Sequence, residues 1–159
     1  MTIYLAADHA GFELKNSLKT MLEKQHEVVD CGAFELDPVD DYPDFISKAA
    51  QLISLHPQNR AIIIGGSGQG EAMVANRYKN VRCAVFYGPM KPTSSIDAEG
   101  HQSTDAFEIL KLERMHNDAN MLSLGARFIS QEDAVKAVTL FLETQFYLIE
   151  RHVRRIMKF

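Results

Sequence analysis

Short apolar runs alternate along this chain with longer stretches whose apolar positions recur every three or four residues. That alternation predicts a parallel sheet covered by helices on both faces. The runs "TIYLAA" (2–7), "HEVVD" (26–30), "AIIIG" (61–65), "RCAVFY" (82–87) and "NMLSLG" (120–125) read as five strands. The third is apolar throughout, as a strand buried on both faces is. Leu14, Leu18, Met21 and Leu22 share one helical stripe, and Ile46, Ala49, Ala50 and Ile53 share another. A further helix is expected from about Glu71. Ser130 with Asp133 three residues on is a capping pattern, and Val135, Val138 and Leu142 follow on one side. The closing stretch "TQFYLIERHVRRIMKF" reads as one more helix, apolar along Phe146, Ile149, Val153 and Ile156. Such a face suits packing on its own chain or crossing to a partner. The expected architecture is an α/β fold, a three-layer α/β/α Rossmann-like sandwich with a five-stranded parallel sheet, in one domain spanning 1–159.

One interval breaks the rhythm. "GPMKPTSSIDAEGHQSTD" (88–105) is too long for an ordinary connection, and its two prolines, two glycines and many polar residues suit either a lid or a surface insertion. Its low apolar content favours insertion. A helix is expected to resume near Thr104.

Composition narrows the function classes. With 159 residues and 46% of them hydrophobic, one domain has enough chain for a real core. A net charge of −4 gives no global basic field, so neither nucleic acid nor an anionic membrane is an expected partner, and any anion must be bound locally. Cys31 and Cys83 stand far apart with no C-x-x-C, which suits a reducing compartment and inert thiols. No basic leader and no membrane-length apolar run is present, so a cytoplasmic location is expected. No H-E-x-x-H or clustered Cys/His spacing occurs, so no metal is expected.

The chemistry concentrates in "AIIIGGSGQGEAMVANR" (61–77). A glycine-rich turn between strand and helix presents backbone N–H groups that stabilise negative charge. The dinucleotide fingerprint fails here, and in a Walker A spacing Glu71 takes the lysine position, where it would repel phosphates. What fits is a transient oxyanion beside a carboxylate able to move a proton. A glutamate in a first helical turn can also serve the macrodipole alone. Asp8 and His9 follow the first strand, at the end of the sheet where ligands collect. His116 and Asn117 precede the fifth strand, and Arg151 and Arg155 share one helical face.

Taken together, "DHAG", "DYP" (41–43), "GGSGQGEAMVANR", "RCAV", "HNDAN", "LGAR" and "RHVRR" resemble the ribose-5-phosphate isomerase B family along nearly the whole chain. That family includes galactose-6-phosphate and allose-6-phosphate isomerases. One of its branches uses a cysteine before the glycines as the base, and another a glutamate after them. Gly65 stands at the cysteine position and Glu71 at the glutamate position, so the chain is similar to the second branch. Its connection over 88–105 is longer than in typical members.

The resemblance implies strand order 2-1-3-5-4 and cofactor-independent aldose–ketose isomerisation of a sugar phosphate, ribose 5-phosphate first and a 6-phosphate hexose next; a non-catalytic sugar-phosphate binder is the remaining alternative. Glu71 would move the proton between carbons 2 and 1. His116 would open the sugar ring, with Asp8 accepting the hydroxyl proton. The Ser67 hydroxyl and the amides of Gly66, Gly68, Gln69 and Gly70 would hold the enediolate. Arg127, Arg151 and Arg155, aided by His9, would take the phosphate. Tyr42 and Asn117 would line the sugar site. A homodimer or homotetramer is implied, with the active site at the subunit interface.

Overall fold

The computed structural model describes every residue, Met1–Phe159. Five strands, β1 (Thr2–Ala7), β2 (Glu27–Asp30), β3 (Arg60–Gly65), β4 (Cys83–Phe86) and β5 (Met121–Gly125), form one all-parallel sheet in the order β2-β1-β3-β5-β4. Six helices cover it: α1 (Phe12–Leu22), α2 (Pro43–Leu55), α3 (Gln69–Ala75), α4 (Glu108–Asn117), α5 (Gln131–Glu143) and α6 (Glu150–Ile156). The three-layer expectation holds, and each strand agrees with its sequence reading to within a residue at either end.

Alternation along the strands divides the core in two. Ile3, Leu5, Ile62, Ile64, Leu122 and Leu124 point to the face covered by α1 and α5, whose Leu18, Leu22, Ala137, Val138 and Phe141 pack on them. Tyr4, Ala6, Ala61, Ile63 and Met121 point the other way, onto Ile46, Ala49, Ala50 and Ile53 of α2 and Ala75 of α3. The chain leaves β1 towards β2 on one edge and leaves β3 towards the other. The sheet therefore reverses direction between β1 and β3, whose Ala7 and Ile64 pair in register. At such a switch point the turns after the two strands diverge and leave a crevice.

Two sequence expectations need correction. The closing stretch is not one helix. Thr144 ends α5 in an extended conformation, its Oγ1 donating back to the Leu140 carbonyl at 2.6 Å, and the Tyr147 amide donates to the Met115 carbonyl at 3.0 Å. Residues 144–149 thus cross the end of α4 in extended form, and only Glu150–Ile156 is helical, which takes Phe146 and Ile149 off the expected stripe. The helix expected near Thr104 begins at Glu108, because Ser103 and Asp105 hold their local amides in turns instead. No residue of 88–105 is buried. The two cysteines are free, and burial raises both thiols, Cys31 to about 11. No helix is long and apolar enough to cross a membrane.

Candidate active site

The crevice between the β1 and β3 turns is a cleft of about 620 Å³ lined by Asp8, His9, Tyr42, Gly66, Ser67, Gln69, Gly70, Glu71 and Arg127, with Ala10, Met73 and Phe128. Each side chain is placed by the end of a strand or the start of a helix. Asp8 caps a short 3-10 turn at 9–11, Oδ1 accepting the amides of Ala10 (3.0 Å) and Gly11 (3.2 Å). One carboxylate oxygen is thereby fixed, which orients the other.

Glu71 lies in the first turn of α3 and is only 4% exposed. A Cβ added at Gly65 would fall on its carboxylate, so the missing side chain at the end of β3 is the space the carboxylate occupies. A cysteine at 65 and this placement of Glu71 exclude one another. The first cause acting on Glu71 is burial, which raises its pKa above the usual carboxylate value; the charge of Asp8 adds to the rise, while the amides of Glu71 and Gly68 oppose it. Burial wins that contest, leaving a carboxylate more basic than one in water.

The glycine loop divides its labour. Ser67 Oγ accepts the Gln69 amide at 3.3 Å, and Tyr42 lies against Gly70. Gly66 lies beneath the Arg127 guanidinium, and the Arg127 amide donates to the Gly66 carbonyl at 3.2 Å. Gly68 does not line the cleft, contrary to the sequence reading. It takes φ +75°, turns its carbonyl to accept Ser123 Oγ at 2.7 Å, and packs against β5. Its part is the reversal of the chain into α3, which only a left-handed residue permits here.

Sequence reasoning missed Asp40. Its Oδ1 accepts from His9 Nδ1 at 2.6 Å and from the His9 amide at 3.1 Å, while Oδ2 is buried without a partner. The Asp40 hydrogen bond holds the His9 imidazole above its ordinary pKa. A second acid directly before "DYP" was the available signal. Asp8, His9 and Asp40 also place one ligand atom each within 4.8 Å of one another, so they are the groups of the cleft that could hold a cation. They already satisfy one another in part, through the His9–Asp40 bond and the Asp8 cap.

Four further expected residues stand outside this cleft. His116 and Asn117 end α4, and Arg151 and Arg155 lie on α6. His116 stacks on His152 with ring centroids 4.3 Å apart, and burial, followed by the charge of Arg151, lowers its pKa. Asn117 borders a separate cavity of about 240 Å³ with Cys83 and Glu113, whose carboxyl burial pushes up to about 8. The rest of "HNDAN" holds the helix end. Asp118, at φ +46°, closes α4 and binds both Arg82 (2.7 Å) and Arg114 (2.9 Å), while Asn120 Oδ1 accepts the Arg82 amide at 2.8 Å.

Comparison with known proteins bears on these two groups. The family model described as Ribose/Galactose Isomerase matches residues 3–159. Ribose-5-phosphate isomerase B of Mycolicibacterium paratuberculosis is 36% identical over 157 residues, covering 98% of this chain and 87% of the relative. The solved structure of ribose-5-phosphate isomerase B from Mycoplasma genitalium with bound ribulose-5-phosphate superposes with a TM-score of 0.83 at 33% identity, covering 99% of this chain and 92% of that one. That from Thermotoga maritima gives 0.81 at 37% identity, covering 99% and 95%. A buried carboxylate beside a glycine turn at a sheet's switch point, carried on a full-length match of this kind, places the chain in the ribose/galactose isomerase family.

Proposed function

We propose that this protein interconverts ribose 5-phosphate and ribulose 5-phosphate through an enediolate, without a cofactor. The observation that carries the reading is Glu71, a buried carboxylate of raised basicity at the mouth of the glycine loop. With the open-chain aldose in the cleft, Glu71 takes the proton from carbon 2, the oxygen at carbon 1 gains negative charge and then the proton of the carbon-2 hydroxyl, and the same carboxyl returns its proton to carbon 1, leaving the carbonyl at carbon 2. Amides of Gly66, Gln69 and Gly70 and the Ser67 hydroxyl stabilise the enediolate, and one such donor is typically worth about 3 kcal/mol. Burial of Glu71 argues against a non-catalytic sugar-phosphate binder, since binding alone has no use for a desolvated base.

Ring opening and the phosphate grip need groups that a single chain keeps apart from the cleft. His116, Asn117, Arg151 and Arg155 act, on this proposal, in the cleft of a second copy, with Asp8 taking the hydroxyl proton and His9 and Arg127 completing the phosphate end. The site is then shared across a homodimer, alone or within a tetramer, in the cytoplasm. The exposed apolar groups beside those residues, Leu148, Ile149 and Met157, suit such an interface.

Purified protein assayed with ribose 5-phosphate, allose 6-phosphate and galactose 6-phosphate should show its highest kcat/KM with the pentose. Turnover in heavy water should place deuterium at carbon 1 of ribulose 5-phosphate. A preference for a hexose phosphate would move the substrate assignment, and no turnover of any of the three would remove the isomerase reading.

A further inference from the structure

The segment between β4 and α4 has no buried residue over 88–105, yet one of its side chains makes a directed contact with the distant α6. Arg151 Nη1 donates to Glu99 Oε1 at 2.5 Å and Nη2 donates to Oε2 at 3.0 Å, across 52 residues of chain. A two-pronged fork on two oxygens is also the way a guanidinium takes a phosphate. Glu99 is presented for the contact by a turn built on Asp97. Asp97 Oδ1 accepts the amides of Glu99 (3.1 Å) and His101 (3.0 Å), and Oδ2 meets His101 Nδ1 at 2.5 Å. The Ile96 amide closes the turn on the His101 carbonyl at 2.8 Å. Asp97 and Glu99 act on His116 electrostatically alongside Arg151 and Arg155, so the turn, though exposed, stands near this half-site.

We infer that Glu99 is a built-in competitor for the substrate's phosphate. In the free protein its carboxylate fills the Arg151 fork, and a phosphate gains that arginine only by displacing it. The inference rests on the proposed reading of Arg151 as a phosphate ligand. The two side chains are 29% and 51% exposed, and pairs so exposed are weak and screened by salt, which suits a contact broken at every turnover. A phosphate brings more charge and three acceptor oxygens, so displacement runs towards substrate at a cost in affinity. An unphosphorylated sugar has nothing with which to compete for the fork.

The test is Glu99→Gln, with KM for ribose 5-phosphate measured kinetically and Kd for inorganic phosphate measured by calorimetry. Both should fall by about three- to fivefold at low salt, as expected for release of an exposed ion pair, with the change falling on KM rather than kcat and shrinking as salt is added. In an Arg151→Ala background the same substitution should do nothing, because the coupled partner is gone. Unchanged constants, or phosphate binding absent from wild type and variant alike, would overturn the inference. Raised constants would overturn it too, by making Glu99 part of a closure over bound substrate. If the wild type fails to isomerise ribose 5-phosphate, the proposed function falls while the phosphate calorimetry still decides the role of Glu99.

Discussion

The cleft between β1 and β3 and the cluster at the ends of α4 and α6 carry comparable sets of polar groups but are built on different principles. The first is assembled by the register of one sheet: Ala7 pairs with Ile64, so the turns carrying Asp8 and Glu71 are neighbours by construction. The second hangs on helix ends. His116 rests on His152 and Arg151 is engaged by Glu99, so its groups find partners among themselves rather than in the cleft. A sheet's switch point can complete half of a site inside one chain, whereas groups displayed on peripheral helices are available for a site that a second copy completes.

The largest effect expected falls on the half that is complete. Glu71→Gln keeps the size of the side chain and removes its basicity. It should lower kcat by about 10²–10⁴-fold, the usual contribution of a positioned base, with a much smaller change in the Kd of ribose 5-phosphate. Stopped-flow binding alongside steady-state kinetics separates the two quantities. A variant that keeps its rate would take the base away from this half of the comparison altogether.

Mixing sharpens the other half. Glu71→Gln and His116→Ala damage different halves, so each alone should be nearly inactive. Co-refolded in equal amounts, random dimers should recover about a quarter of wild-type activity, because half the dimers are mixed and each has one intact site of two. Activity that stays at the sum of the two parents would mean that both residues act from the same chain.

A smaller effect is expected at Asp40. Its hydrogen bond raises the His9 pKa, so the cationic imidazole survives to higher pH than it otherwise would. Attraction for an anionic substrate is therefore present below that raised pKa and lost as pH rises through it. In Asp40→Asn the rise of KM with pH should begin at lower pH. The kcat profile, governed by Glu71, should keep its acid limb. Equal displacement of both profiles would show that Asp40 acts on the whole cleft rather than through His9.

These contrasts follow what could be read from the chain. The strands were legible because apolar periodicity reports burial directly, whereas the meeting of the β1 and β3 turns followed from the strand order that the family resemblance implied. The His9–Asp40 pair was not legible, since the two residues lie 31 positions apart and a polar loop carries no periodicity to say where it returns. The break at Thr144 was hidden for the opposite reason: the apolar pattern continues through 144–149, and only a side-chain bond to the preceding turn and a backbone bond to α4 show that the helix has ended. Four glycines in one loop look alike as letters, yet they answer to different neighbours.

That last difference gives the smallest and most selective prediction. Gly65 leaves room for a carboxylate, whereas Gly68 supplies a backbone conformation, so Gly68→Ala should affect folding before chemistry. An alanine at φ +75° is left-handed, at a cost of about 1–2 kcal/mol. Its Cβ would also stand 3.0 Å from Ser123 Oγ and 3.1 Å from the Leu124 carbonyl carbon, with backbone on one side unable to yield. Calorimetry at matched protein concentration should find Tm lowered by roughly 2–8 °C, with kcat reduced far less than in Glu71→Gln. A normal Tm would mean that the loop has another way to turn. A loss of rate as large as that of Glu71→Gln would instead put the Gly68 amide among the groups that hold the enediolate, against its packing on β5.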